Sequence, residues 1–289
     1  MTIEAIADYA CRCGEGPLYH PDENAVYWTD NETGSLFRYD ITASEHRQVY
    51  KGENVGGITL QEDGSLLLFL AKGAIRSWRN GEFLETIHED IPDERETRFN
   101  DVIADPAGRV FCGTMPTPHR KGRLYRLDTD GTLTVLLEGI GCANGMGFTP
   151  DRKKFYFTDT GTREIYLFDY DEATGDITNQ SVFIKTPDGE GGPDGLTIDA
   201  EGLIWSARWG GSGIFCYDPA NGKQLAKVPL PPPNVTSLTF GGPDYDQMYV
   251  TTAGGHAKAT DGPDAGALFR VTGQGLKGVP EFVSRIKAV

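Results

Sequence analysis

Glu15, Asn100, Asn144 and Asp194 are oxygen-donor side chains that fall in matching contexts far apart in the chain. They stand in Gly14-Glu15-Gly16-Pro17, Phe99-Asn100-Asp101-Val102, Ala143-Asn144-Gly145-Met146 and Pro193-Asp194-Gly195-Leu196. Two further segments, Val55-Gly56-Gly57-Ile58 and Val235-Thr236-Ser237-Leu238, share the pattern with Gly and Thr at the equivalent position. Two carboxylates and two carboxamides gathered in one small volume would repel and be poorly hydrated, and buried acids are costly unless paired. No Lys or Arg occupies an equivalent position. A divalent cation supplies the missing charge, and an all-oxygen donor set suits Ca2+, Mg2+ or Mn2+ better than a thiolate-seeking metal. Taken singly, Asn-Gly and Asp-Gly are ordinary turn signals. That explanation does not cover Glu15, a poor turn former. Arg98 lies two residues before Asn100, so strand alternation turns both side chains to one face. Spacing alone leaves two roles open for it: a salt bridge to Glu15 or Asp194, or a clamp on substrate hydroxyl or carbonyl oxygens.

The elements that would bring these residues together are written as a repeat. An alternating apolar strand, a polar break and a second strand recur from Val26, Leu66, Val110, Phe155, Leu203 and Met248, at spacings of 40, 44, 45, 48 and 45 residues. The apolar positions step by two, with β-branched and aromatic residues favoured, which excludes helices. The period is that of propeller blades. The expectation is an all-β fold, a six-bladed β-propeller with a central metal site, forming a single domain over residues 1–289. The first strand of each blade lines the axis of such a fold. Counting back 9 to 12 residues from each repeat start lands on Glu15, Gly56, Asn100, Asn144, Asp194 and Thr236, one per blade. Closure of the ring is expected because an open array leaves bare strand edges. Either residues 1–9 or residues 280–289 could provide it.

Composition removes several function classes. Lys plus Arg is 27 and Asp plus Glu 42, so the net charge is 27 − 42 = −15. That argues against binding nucleic acid or an anionic membrane, which need a basic face. The longest apolar run, Leu66 to Ala71, is too short to span a bilayer. The first residues, Met1 to Tyr9, carry an early acid and no apolar core, unlike a signal peptide. Five cysteines without framework spacing fit a reducing compartment. A cytoplasmic protein is expected. Cys11 and Cys13 have no His or Cys pair elsewhere to complete a zinc-thiolate site.

Cys11-Arg-Cys-Gly-Glu15-Gly-Pro17, Arg98-Phe-Asn-Asp-Val102 with Asp105-Pro-Ala-Gly-Arg-Val110, Gly113-Thr-Met115, Ala143-Asn-Gly-Met146 and Pro193-Asp-Gly-Leu196 occur in order. With them the chain resembles the senescence-marker-protein (regucalcin)/gluconolactonase family, over nearly its whole length. The resemblance implies a six-bladed propeller that hydrolyses sugar lactones with one divalent metal in its central channel. It implies Glu15, Asn144 and Asp194 as metal ligands, Asn100 as a further ligand or substrate contact, and Arg98 as holder of substrate oxygens. Asp194 would also be the proton acceptor in catalysis. Ca2+ is the first choice of metal, with Zn2+, Mn2+, Mg2+ or Fe2+ as alternatives, and the partner is a small-molecule sugar lactone. One stretch departs from the pattern. Some relatives carry a sugar-contacting Glu after Gly-Thr-Met, where this chain has Pro116-Thr-Pro-His-Arg-Lys121, with Pro118 at that place. His119 there reads as a surface residue, or else as a replacement polar contact. The expected function is therefore a metal-dependent hydrolase that opens aldonolactones to aldonic acids. The alternatives are a metal-dependent organophosphate or aryl-ester hydrolase, and a non-catalytic calcium-binding propeller.

Overall fold

The computed structural model describes residues 1–273, 275 and 277–287. It begins with β1 (Thr2–Asp8) and continues through six hairpin-connected groups. The first blade is β2 (Gly14–His20), β3 (Ala25–Asp30), β4 (Ser35–Asp40) and β5 (Glu45–Lys51). The second is β6 (Val55–Leu60), β7 (Leu66–Leu70), β8 (Ile75–Arg79) and β9 (Glu82–His88). The third is β10 (Phe99–Ala104), β11 (Val110–Thr114), β12 (Gly122–Leu127) and β13 (Leu133–Ile140). The fourth is β14 (Ala143–Phe148), β15 (Lys154–Asp159), β16 (Glu164–Tyr170) and β17 (Ile177–Lys185). The fifth is β18 (Gly192–Ile198), β19 (Ile204–Trp209), β20 (Gly213–Tyr217) and β21 (Gln224–Pro229). The last is β22 (Val235–Gly241), β23 (Gln247–Thr252) and β24 (Ala267–Thr272), with β1 as its outermost strand. The expected six-bladed propeller is observed.

Burial follows from the radial position of each strand. β6, β14 and β22 are buried at every residue, whereas β5, β9 and β21 are almost wholly exposed. Alternation gives each blade two apolar faces, and these meet the neighbouring blades in six separate clusters. Leu18, Val55 and Leu68 fill the first junction, and Phe69, Phe99 and Tyr125 the second. Trp28, Tyr249 and Ala7 close the ring between the last blade and the first. The N-terminal segment is thus the one that completes the circle: β1 runs antiparallel to β24, from Thr2 opposite Thr272 to Asp8 opposite Ala267.

The C-terminal segment does something else. It crosses one end of the axis, with Gly278 N–H donating to Tyr245 O, Ser284 N–H to Leu60 O and Lys287 N–H to Thr129 O. A cavity of about 100 Å3 is left above it, lined among others by Gly16, Asp101, Met146, Leu196, Glu281 and Phe282. Because the tail pairs at the far end of β6, the channel end where the inner strands begin is left uncovered by it.

All six inner strands break register at the same place. The shifts fall between Glu15 and Leu18, Val55 and Gly57, Phe99 and Val102, Asn144 and Met146, Pro193 and Leu196, and Val235 and Ser237. A bulge bends a strand and re-aims its side chains. Six of them at one height build a ring of inward-pointing residues at the residues predicted from the repeat. Close approach of the strands there requires glycine. A Cβ on Gly56 would meet Phe99 O at 2.0 Å, and one on Gly145 would meet Leu196 N at 2.2 Å.

Candidate metal centre

Glu15, Asn100, Asn144 and Asp194 are all buried, none more than 4% exposed. Thr236 and Gly56 complete the ring, but the Thr236 hydroxyl donates to Gly14 O at 2.5 Å, so its hydrogen is spent on backbone. The two carboxamides are held in fixed orientations. Asn144 Nδ2 donates to Thr160 Oγ1 at 2.7 Å, and Thr160 Oγ1 donates to Pro193 O at 2.6 Å. This locks Asn144 between its own blade and the strand that carries Asp194. Asn100 Nδ2 donates to Ala143 O at 2.7 Å and to Asn144 Oδ1 at 2.8 Å. Its Oδ1 accepts from the Arg98 guanidinium at 2.6 Å, while Arg98 also reaches Phe99 O at 2.9 Å. Among the described residues Arg98 makes no ion pair, with Glu15, Asp194 or any other acid. The salt bridge to Glu15 or Asp194 is thus not among the contacts seen for it.

The charge balance at the ring is lopsided. Burial pushes the Glu15 carboxyl well above its ordinary range, and the Asp194 and Asp101 charges push it further. Burial and Asp101 raise Asp194 likewise, against a smaller opposing pull from Arg208. Asp101 is raised by burial to about 7. Two thiols feel the same field: Cys13 is raised by burial and then by Glu15 and Asp194, and Cys142 to about 12 by burial, Asp194 and Asp101. Asp101 Oδ1 is buried without a hydrogen-bond partner. Among the described residues, no three His, Cys, Asp or Glu side chains converge closely enough to hold a metal by themselves. The ring therefore offers two carboxylates completed by carboxamide oxygen, a donor set that fits a hard divalent cation. All five cysteines are free thiols, and among the described residues none belongs to a cluster of three or more possible ligands.

Two residues escaped sequence reasoning. Asp101 follows Asn100 and by strict alternation should face the other way, but the bulge between Phe99 and Val102 lets it line the channel as well. The Arg98-Phe-Asn-Asp-Val102 motif contained it without indicating its direction. Arg208 is fully buried, donating to Ser206 Oγ at 2.8 Å and Tyr217 OH at 2.5 Å, with its guanidinium over the Phe215 ring. Its register partner is Pro193, next to Asp194. Nothing in its local sequence marks it. His119, by contrast, is 79% exposed and lies 3.8 Å from Glu96, as a surface residue should.

A model of the SMP-30/gluconolactonase/LRE-like region matches residues 13–254, which include every ring residue. The chain belongs to the SMP-30/gluconolactonase family. It is 48% identical to pentonolactonase XacC of Haloferax volcanii, with 99% of both chains covered. It is 33% identical to regucalcin of Bos taurus over 98% of each chain. Its fold superposes on the calcium-binding protein regucalcin of Agrobacterium tumefaciens with a TM-score of 0.89 at 27% identity, covering 98% of this chain and 97% of the other. Among the described residues, no helix is long and apolar enough to cross a membrane.

Proposed function

We propose that this SMP-30/gluconolactonase family member is a metal-dependent lactonase that opens five- or six-membered sugar lactones, pentonolactones foremost, to aldonic acids. Lactone hydrolysis as such is supported by family membership and by the 48% identity to a pentonolactonase. One observation carries the site: buried Glu15, Asn144 and Asp194 face one axis beside Arg98, which has no acid partner among the described residues and is linked to Asn144 through Asn100. In this reading Glu15, Asn144 and Asp194 hold the cation. Bound there, a divalent ion would polarise the lactone carbonyl and lower the pKa of attacking water, with Ca2+ the first candidate. The likeness to calcium-binding regucalcin supports that choice.

The chain's own residues would do the rest. Asp194 takes the proton of the attacking water as the C–O bond forms. The ring C–O bond then breaks, and the proton is returned to the leaving oxygen, giving the hydroxy acid. Arg98 donates to substrate oxygens, and Asn100 holds the guanidinium in place, which limits the lactone to a reactive pose. The net charge of −15 and the acid-lined channel suit a small neutral substrate rather than nucleic acid or an anionic membrane. A single-domain cytoplasmic enzyme is the setting proposed.

The test is proton release from five- and six-membered aldonolactones, using protein stripped with chelator and resupplied with Ca2+, Mg2+, Mn2+ or Zn2+. A metal-dependent rate above the spontaneous one, lost in Asp194→Ala together with metal affinity, is expected. Unchanged turnover in Asp194→Ala would remove this site from the reaction.

A further inference from the structure

Arg98 ends the loop that leads into β10, bridged on one side to Ala71, and the rest of that loop is held from within. Glu94 is completely buried. Its Oε1 lies 2.5 Å from the Arg120 guanidinium and accepts from Tyr125 OH at 2.5 Å. The other carboxylate oxygen, Oε2, has no partner. A carboxylate placed so deep is tolerable only with its cation beside it. Arg120 also donates to Asp93 O at 2.6 Å, so one side chain grips two consecutive residues of the loop.

Two further contacts carry this grip to Arg98. Thr97 Oγ1 donates to Met115 O at 3.0 Å, and Met115 N–H donates to Arg98 O at 3.0 Å. Residues 93–98 and 115–120 are thus laced together at both ends. Arg98 in turn donates to Asn100 Oδ1 at 2.6 Å. Arg120 stands two residues after Pro118, in the stretch Pro116–Lys121 that follows Gly-Thr-Met. Instead of facing substrate as a free rim cation, it is turned inward onto Glu94.

We propose that the buried Glu94–Arg120 pair is the positioning device for Arg98, setting how tightly the lactone is held while leaving the metal ring alone. This rests on the lactonase reading for the role of Arg98. Removing Arg120 strands the Glu94 carboxylate without a cation. The 93–97 segment must then move to hydrate it, and Arg98 moves with that segment. Among the described residues, neither side chain hydrogen-bonds or ion-pairs with Glu15, Asn144 or Asp194.

The experiment compares Arg120→Ala, Glu94→Gln and Arg120→Lys with the wild type, in steady-state pentonolactone hydrolysis and in Ca2+ titration calorimetry. Arg120→Ala and Glu94→Gln should raise KM about tenfold or more, with kcat within about threefold and Ca2+ affinity unchanged. Arg120→Lys should recover part of the loss, since it keeps the charge but not the fork. In an Arg98→Ala background, Arg120→Ala should raise KM no further. An unchanged KM, an additive double variant, or a joint fall of kcat and Ca2+ affinity would overturn the proposal. If the Ala variant does not fold, Arg120→Lys decides on the same criteria. If wild type turns over no lactone, the lactonase reading fails by itself, and the 15N resonance of the Arg98 side chain still decides positioning. A sharp wild-type signal broadened in Glu94→Gln supports it, and an unchanged one overturns it.

Discussion

Asn100 donates its side-chain amide to Asn144 Oδ1 across 2.8 Å, joining the inner strands of two blades 44 residues apart. Its own carbonyl oxygen is engaged by Arg98 at 2.6 Å. Both ends of this carboxamide are therefore used, one toward the ring and one toward the guanidinium. The Asn100 oxygen that would otherwise be free for a cation thus already accepts from a guanidinium.

Asn100→Ala should accordingly harm substrate handling more than cation binding. Losing hydrogen bonds to a charged group costs about 1.5–3 kcal/mol, so kcat/KM should fall by about tenfold to a hundredfold. Ca2+ affinity, measured by calorimetry, should fall less than in Glu15→Gln. The reverse order would make Asn100 a principal ligand.

The buried acids predict an unusual pH dependence for the chelator-treated protein. Glu15, Asp194 and Asp101 have folded pKa values raised above the ordinary ones. Such a group is protonated more readily in the folded state. Its contribution to stability is therefore complete below the ordinary value, 3.8 for Asp, and is lost as pH rises through the folded value, about 7 for Asp101. Metal-free protein should lose stability across that window in chemical denaturation. Asp101→Asn should flatten the slope, and Glu15→Gln should raise the melting temperature in chelator. Saturating Ca2+ should stabilise wild type and not Glu15→Gln, because only a ligand that binds the folded state shifts the equilibrium. A flat profile in chelator would mean that these acids are hydrated.

Gly145→Ala should disrupt the ring through its backbone. The added methyl would fall 2.2 Å from Leu196 N and 2.6 Å from Gly195 C, forcing β14 away from β18. Overpacking of this kind costs about 1–3 kcal/mol. It also separates Asn144 from Asp194, so Ca2+ affinity should drop alongside the melting temperature. Retained affinity with lowered stability would show that the ring tolerates wider spacing.

Deleting Thr2–Asp8 should expose the edge of β24, and with it the ion pair between Glu4 and Arg270 at 2.9 Å is lost. An unpaired edge of this length is a template for association. Size-exclusion chromatography should show oligomers or aggregates, and the melting transition should broaden. A monodisperse protein with an unchanged transition would mean that β1 is dispensable for closure.

The blades and the ring were legible in the chain because both are built from local signals repeated six times. Alternation identifies a strand from a few neighbouring residues, and a constant period places equivalent residues at equal height around an axis. Glu15, Asn100, Asn144 and Asp194 could be aligned on that basis, without any knowledge of how far each bulge bends its strand. What the repeat does not encode was decided only by tertiary structure. Asp101 faces the channel because a bulge overrides alternation. Among the described residues, Arg98 is linked to Asn100 rather than paired with an acid because of where two loops are laced. Glu94 and Arg120 find each other although they stand 26 residues apart in the chain, with no spacing rule to announce it. Either terminus could have closed the circle by composition. The choice fell to β1 because its residues meet the free edge of β24, while the C-terminal segment found its hydrogen bonds beneath the channel.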